Sequence, residues 1–113
     1  MMNYLENKKT KISIDEVKRL KLKYPNKIPV LVESRNLEID RHKYLVDTFT
    51  KFSDLILVFR RRIKDLKSSE SIYMFVGEEP TLVPLHKEVN SVFESLNTNG
   101  YIKITIAKEN TFG

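Results

Sequence analysis

The sequence contains no cysteine, and this absence removes several kinds of chemistry. A chain without thiols forms no disulfides, offers no thiolate ligand to a metal and has no cysteine nucleophile of its own. Because such a chain needs no oxidising environment, it is compatible with a reducing compartment, and we expect it in the cytosol or the nucleus. The start, MMNYLENKKT, lacks the apolar run of a signal peptide, and no segment approaches the roughly 18 apolar residues of a membrane span.

Glycine and proline are also scarce, with three and four among 113 residues. This scarcity argues against long disordered or low-complexity stretches. The 41% hydrophobic and 31% charged residues are typical of a soluble globular protein, and a chain of this length suits one hydrophobic core. The sequence therefore predicts a single domain.

Residue patterns that carry catalysis or hold metals are missing as well. The sequence has no HExxH motif, no glycine-rich phosphate loop and no Cys/His cluster. His42 and His86 are each flanked by charged residues, so we interpret both as surface residues. Two pairs of adjacent carboxylates are interpreted as solvated charge: Asp15 with Glu16, and Glu78 with Glu79. We expect no enzyme, no catalytic residue, no metal site and no cofactor.

The net charge of +5 is unevenly distributed: residues 1–67 carry +8 and residues 68–113 carry −3. Such a basic surface attracts anionic partners such as nucleic acid, lipid headgroups or acidic peptides, but the charge alone does not indicate which of them binds. Nucleic acid is disfavoured because the strand-like IYMFV at 72–76 lacks the basic and glycine positions of an RNA-recognition strand. The predicted helix over 52–64 ends in a run of arginines: Arg60, Arg61 and Arg62. Their positive charges either stabilise the negative end of the helix dipole or contact a partner, and both interpretations stay open.

Hydrophobic periodicity predicts helices and strands in a definite order. Ser13 and Glu16 form a capping box, and Ile12 with Val17 fits a hydrophobic staple, so a helix should begin there and end before Pro25. The predicted segments are a polar helix over 3–10, helices over 13–24, 52–64 and 85–96, and strands over 27–32, 43–46, 72–76 and 101–106.

This order suggests an α+β fold of the β-grasp type, in which the last strand returns beside the first, although another α+β sandwich stays open. If Ile28, Val30 and Val32 face the core, Pro29 and Leu31 face the other side. Exposed apolar side chains beside an edge strand would invite a peptide to add as a further strand. The alternative is that the N-terminal helix covers them.

Several ordered motifs, spanning about Asp15 to Gly113, resemble one family: KYPNKIPVLVE, IDRHKYLV, FRRRI and the ending GYIKITIAKENTFG. They are similar to the ubiquitin-like autophagy modifiers, the family of light chain 3 and the GABA-receptor-associated protein. The resemblance implies a ubiquitin-like β-grasp with a four-stranded mixed sheet, two core helices and additional N-terminal helices. It divides the chain into a variable segment (1–12), a ubiquitin-like domain (13–107) and a flexible conjugation tail (108–113).

The resemblance also implies a modifier and adaptor rather than an enzyme. In the family, activating and conjugating enzymes join the terminal glycine to phosphatidylethanolamine, which here implies Gly113, with Phe112 recognised in the tail. Two acyl chains give stable anchoring, so a cytoplasmic protein would acquire a lipidated form on autophagosome membranes. A cysteine protease removes the lipid, but because this sequence stops at Gly113 we expect no protease step before conjugation.

The family's partners include cargo receptors that carry an aromatic-x-x-aliphatic motif. By similarity, the first pocket for this motif contains Glu16, Leu20, Pro29, Leu31, Lys43, Leu45 and Tyr101. The second pocket contains Tyr44, Val46, Leu55 and Val58, and acidic groups of the motif meet Lys27 and Arg62. The sequence departs from the family at Asp47, where proline is usual. The alternative function is an unconjugated β-grasp module that binds RNA or acidic proteins.

Overall fold

The computed structural model describes residues 2–3, 12–95 and 99–109. In this part of the chain, six strands and three helices follow one another. In chain order they are β1 (Met2–Asn3), α1 (Ile14–Lys23), β2 (Lys27–Arg35), β3 (Lys43–Asp47), α2 (Phe52–Arg62), β4 (Ile72–Val76), β5 (Thr81–Leu82), α3 (Val89–Ser95) and β6 (Ile102–Lys108).

The strands form one mixed sheet in the order β1-β3-β2-β6-β4-β5. Strand β2 pairs antiparallel with β3 and parallel with β6, and β6 pairs antiparallel with β4. A parallel pair needs a long crossover connection, which here is the whole stretch between β2 and β6. The predicted return of the last strand beside the first is therefore confirmed.

The expectation of a four-stranded sheet was wrong, because two short strands extend its edges. Each is only two residues long: β1 pairs with β3, and β5 pairs with β4. A two-residue strand is too short to show the alternation by which strands are recognised in a sequence. The predicted strands over 27–32 and 101–106 are also longer in the structure, ending at Arg35 and Lys108.

Helix α3 begins later than predicted, at Val89 instead of Leu85, and the predicted final residue, Leu96, lies outside the described residues. The cause is the start of α2, where Lys51 provides no side-chain cap. Instead, the first amides of α2 donate to the carbonyl oxygens of Leu85 and Lys87, at 3.0 and 3.1 Å. Residues 85–87 thus satisfy the unpaired amides of another helix instead of forming a helix themselves.

The main core lies on the sheet face covered by α2 and α3. Phe52, Leu55 and Phe59 of α2 are fully buried there, in agreement with the hydrophobic periodicity that predicted a helix over 52–64. The ring of Phe59 packs against that of Tyr44, with centroids 5.4 Å apart. Such aromatic pairs stabilise a core beyond the area that they bury.

Helix α1 belongs to a second, smaller cluster on the opposite sheet face. Its cap is the predicted Ser13, whose hydroxyl accepts a hydrogen bond from the Glu16 amide at 3.1 Å. Ile12 and Val17 pack with Leu31, and Leu31 alternates with the core-facing residues of β2. The predicted polar helix over 3–10 is not supported at Asn3, which is in β1, and otherwise lies outside the described residues.

Gly100 permits a close approach between α1 and the turn that leads into β6. Its φ is +94°, and an added Cβ would lie 2.4 Å from Cγ1 of Val17. We expect Gly100→Ala to lower the free energy of unfolding by about 2 kcal/mol, because the alanine is strained and also displaces Val17. Urea unfolding measures this effect. In a Val17→Ala background the loss should be smaller, and an equal loss would contradict the proposed steric contact.

Candidate peptide-binding site

The residues implied for the first pocket come together between α1 and the sheet. Strand pairing places Pro29 opposite Leu45 and Leu31 opposite Lys43. Leu31 also contacts Tyr101 within the smaller cluster, next to α1. The remaining members, Glu16 and Leu20, are on α1 itself.

These residues form a covered site instead of an open groove. Leu31 is 1% exposed and Leu45 is 0% exposed. The expectation that Leu31 would be exposed was therefore wrong, and the alternative that the N-terminal helix covers this face is confirmed at Leu31, which packs with Val17 of α1. The covering side chains include Ile12, itself 4% exposed, and Val17.

A buried ion pair joins α1 to β3 at this site. The Lys43 ammonium lies 3.3 Å from a carboxylate oxygen of Glu16, and the two side chains are 1% and 13% exposed. Glu16 also lies 3.9 Å from Arg19 on the outer side of the helix. Since a buried charge needs a partner, Glu16 positions the amino group of Lys43 under α1.

The residues implied for the second pocket lie on the other face of β3. Tyr44, Val46 and Leu55 belong to the main core, and each is at most 2% exposed. The Tyr44 hydroxyl donates to the Arg41 carbonyl oxygen at 3.0 Å. Val58 is only partly buried, so it is the member of this set that an incoming side chain can reach with least rearrangement.

Alternation along β3 separates the two sets of residues. Lys43 and Leu45 point toward α1, whereas Tyr44 and Val46 point toward α2. On an added strand, residues three positions apart also point to opposite faces. An aromatic-x-x-aliphatic segment at this edge would therefore place one anchor beside each set.

The outer edge of β3 is already paired in the structure. Strand β1 runs antiparallel along it, with Met2 opposite Leu45 and Asn3 opposite Tyr44. The inner edge pairs with β2 from Lys27 to Leu31. In the described part of the chain, β3 thus has a neighbour on each side.

Comparison with known proteins identifies the family of this chain. A family model described as "Autophagy protein Atg8 ubiquitin like" matches residues 13–113. The chain belongs to the Atg8 ubiquitin-like family. Autophagy-related protein 8e of Arabidopsis thaliana is 38% identical over 103 residues, covering 87% of this chain and 82% of the relative. Autophagy-related protein 8 of Schizosaccharomyces pombe is 35% identical over 103 residues, covering 87% and 83%.

A solved structure supports the same fold. The crystal structure of Trypanosoma brucei ATG8 matches with a TM-score of 0.73 and 21% identity, and the match covers 88% of each chain. The predicted α+β, ubiquitin-like class and the resemblance to the autophagy modifiers are therefore confirmed. As an Atg8 family member, the protein is a ubiquitin-like protein of autophagy.

The cationic residues implied for acidic groups have partners within this Atg8 domain. The Lys27 ammonium lies 2.7 Å from the Asp47 carboxylate, and Arg62 lies 3.6 Å from Asp40. Because Lys27 donates a hydrogen bond to Asp47, it lowers the pKa of that carboxyl below its ordinary value of 3.8. The family's usual proline at position 47 could not form such a pair.

The lowered pKa of Asp47 gives a pH-dependent prediction. A carboxyl whose pKa is lowered by folding stabilises the fold above its ordinary pKa of 3.8, and this stabilisation is lost as the pH falls through the folded value. We expect Asp47→Asn to reduce the free energy of unfolding by at most about 1 kcal/mol at neutral pH, because the pair is exposed. Urea unfolding across pH tests this, and a loss that persists well below the ordinary pKa would contradict it.

Sequence reasoning missed a structural role for Arg60. Its guanidinium donates to the carbonyl oxygens of Glu70, Lys67 and Ser68, at 2.6, 3.3 and 3.5 Å. These contacts fasten the loop between α2 and β4. The sequence showed only a run of arginines at a helix end, and nothing in that run distinguishes a loop contact from a solvated charge.

The family's conjugation residues lie outside the described part of the chain. Phe112 and Gly113 both fall there, so their implied roles stay predictions. Within residues 2–3, 12–95 and 99–109, no helix is both long enough and apolar enough to cross a bilayer.

Proposed function

We propose that the protein is a non-enzymatic modifier that is joined through Gly113 to phosphatidylethanolamine on autophagosomal membranes. In this role it is also an adaptor, which binds short aromatic-x-x-aliphatic motifs of cargo receptors at β3. The single observation that supports the adaptor role best is the alternation along β3, which places Lys43 and Leu45 on one face of the strand and Tyr44 and Val46 on the other. The spacing of the motif matches this placement.

The proposed conjugation rests on the family match, which reaches residue 113. A glycine has no side chain that would obstruct its entry into the narrow channels of the activating and conjugating enzymes, where its carboxyl group must react. Activating and conjugating enzymes would use Gly113 and recognise Phe112, and a cysteine protease would remove the lipid. A diacyl lipid supplies two chains, at about 0.8 kcal/mol per buried methylene, which suffices for stable anchoring. The protein would then alternate between the cytoplasm and autophagosome membranes.

The proposed motif binding combines apolar burial with charge. Burying an aromatic and an aliphatic side chain contributes about 1.5 to 3 kcal/mol each. After the cost of ordering the peptide, an affinity on the order of micromolar is expected. Lys27 and Arg62 would exchange their internal carboxylate partners for acidic groups of the motif, so the net electrostatic gain should be small.

A peptide titration tests the second pocket. We expect a peptide with the pattern acidic, acidic, Trp, x, x, Leu to bind the full chain, and Val58→Asp to weaken binding about tenfold by placing a charge beside the aliphatic anchor. Leu57→Asp is the matched control, since Leu57 precedes Val58 on α2 and is 54% exposed. Equal affinities of wild type and Val58→Asp by calorimetry would exclude Val58 from the site.

Salt dependence separates this proposal from the alternative of nucleic-acid binding, with which the +8 charge of residues 1–67 is compatible. Between about 50 and 500 mM salt, peptide affinity should fall modestly, because the Debye length shrinks well below about 10 Å. RNA should bind weakly or not at all. Tight RNA binding with a slope equivalent to six or more phosphate contacts would favour the alternative instead.

A further inference from the structure

Strand β1 lies on the same strand edge that motif binding requires. Strand β1 pairs with β3 at Leu45 and Tyr44, which are residues of the first and second pockets. A peptide that adds to β3 needs the backbone positions that β1 now uses, since each strand edge accepts one neighbour. The two pairings are therefore mutually exclusive along this part of β3.

A second contact places the other end of the same segment in the first pocket. Ile12 is 4% exposed and packs with Leu31 and Tyr101, which are 1% and 6% exposed. Ile12 directly precedes Ser13, the residue that caps α1. Met2–Asn3 thus lie at the strand edge, and Ile12 lies against apolar residues of the first pocket.

We propose that Met2–Asn3 and Ile12 together make the start of the chain an intramolecular competitor that occupies the motif-binding site and sets its apparent affinity. This inference rests on the proposed motif binding and names the regulation of that site. The occupant is the chain's own segment, with Met2–Asn3 in place of the peptide backbone and Ile12 in place of an apolar anchor. A receptor motif binds when this segment is displaced.

The short tether that joins β1 to α1 makes such competition effective, and the short length of β1 makes it reversible. A segment tethered by a short linker has an effective concentration on the order of millimolar, far above that of a free peptide. Strand β1, however, is only two residues long, so its pairing is weak. If the docked form is about ten times more populated than the undocked form, the apparent affinity for a peptide falls about tenfold.

The test compares the full chain with a variant that lacks residues 2–5. These residues, MNYL, carry no charged side chain, so the net charge of +5 is unchanged and electrostatic attraction is matched. The probe is a fluorescent peptide with the pattern acidic, acidic, Trp, x, x, Leu. We expect the deletion to tighten peptide binding about three- to tenfold. In the absence of peptide, the β3 amides should exchange faster with deuterium than in the full chain.

A point substitution with a matched control makes the result specific to the β3 edge. Asn3→Pro weakens β1, because proline cannot donate to a strand ladder, and should tighten peptide binding as the deletion does. Thr81→Pro disturbs the other two-residue edge strand, β5, at the far side of the sheet, and should leave binding unchanged. Tightening by Thr81→Pro to the same degree would overturn the proposal, because the effect would not depend on the β3 edge.

The outcomes distinguish this inference from the proposed function. If the full chain and the deletion variant bind the peptide equally, self-competition is excluded while motif binding stands. If neither binds the peptide, the proposed motif binding fails. Weaker binding after deletion or after Asn3→Pro would also overturn self-competition, because the segment would then assist the partner.

Discussion

We expect deletion of Gly113 to abolish lipid conjugation of the protein in a reconstituted reaction. The 113-residue chain is incubated with activating and conjugating enzymes of the family, ATP and phosphatidylethanolamine vesicles, and the adduct is measured by mass. The reacting group is the glycine carboxyl, and a chain ending at Phe112 presents a large side chain next to that carboxyl. Phe112→Ala should slow conjugation without preventing it.

The stability of the variant that lacks Gly113 must be measured to show that this variant is folded. Because the described core ends with β6, the free energy of unfolding should change by no more than about 0.5 kcal/mol. The variant should also bind the motif peptide as wild type does. If the variant were conjugated as efficiently as wild type, the modifier function would have to be abandoned in favour of a binding module without conjugation.

Replacing Leu45 by aspartate should have the largest effect on stability. Leu45 is 0% exposed in the middle of β3, so the substitution removes an apolar side chain and leaves a carboxyl group in its place. Truncating a buried leucine alone costs about 2 to 5 kcal/mol, and the buried carboxyl adds to this cost, so we expect a loss of at least about 4 kcal/mol. Against a typical total stability of about 5 to 15 kcal/mol, such a loss leaves little margin.

Leu57→Asp is the matched control for this substitution. Leu57 is 54% exposed on α2, so the same chemical change should shift the free energy of unfolding by only about 0.5 kcal/mol. Urea unfolding of both variants decides the question. Similar small losses in the two variants would show that Leu45 is accessible and that the first pocket is open, contrary to the structure.

Long, strongly periodic segments could be predicted from the sequence, because their pattern reflects burial in a simple way. Phe52, Leu55 and Phe59 recur at helical spacing and are all buried in the core. The cap of α1 could be predicted from Ser13 and Glu16, since a local hydrogen bond depends only on neighbouring residues. The strand IYMFV was predicted with its observed bounds, Ile72–Val76.

Features that depend on distant residues could not be predicted in this way. Alternation correctly assigned Leu31 to the face opposite the core, but it carried no information on whether another element covers that face. Ile12 was interpreted only as a staple for Val17, although it also packs against Leu31 and Tyr101. The start of α3 depends on hydrogen bonds to α2, and the pairing of β1 with β3 joins segments about forty residues apart. Such long-range pairings leave no local signal.

The departure at Asp47 illustrates how a substitution within a family acquires a physical meaning. The sequence showed only that aspartate replaces a usual proline beside the second pocket. The structure pairs this carboxylate with Lys27, a residue implied to meet acidic groups of the partner. In the proposed function, an acidic motif would therefore compete with an internal carboxylate, which would reduce the contribution of its charge to affinity.

The measurement that tests the central claim most directly is the intact mass of the protein isolated from starved cells. Membrane and soluble fractions are separated by flotation before mass analysis. The proposed function predicts that the floating form carries one phosphatidylethanolamine, joined at Gly113 with loss of one water, while the form that does not float is unmodified. If only the unmodified mass were found in cells that form autophagosomes, lipid conjugation of this protein would be contradicted.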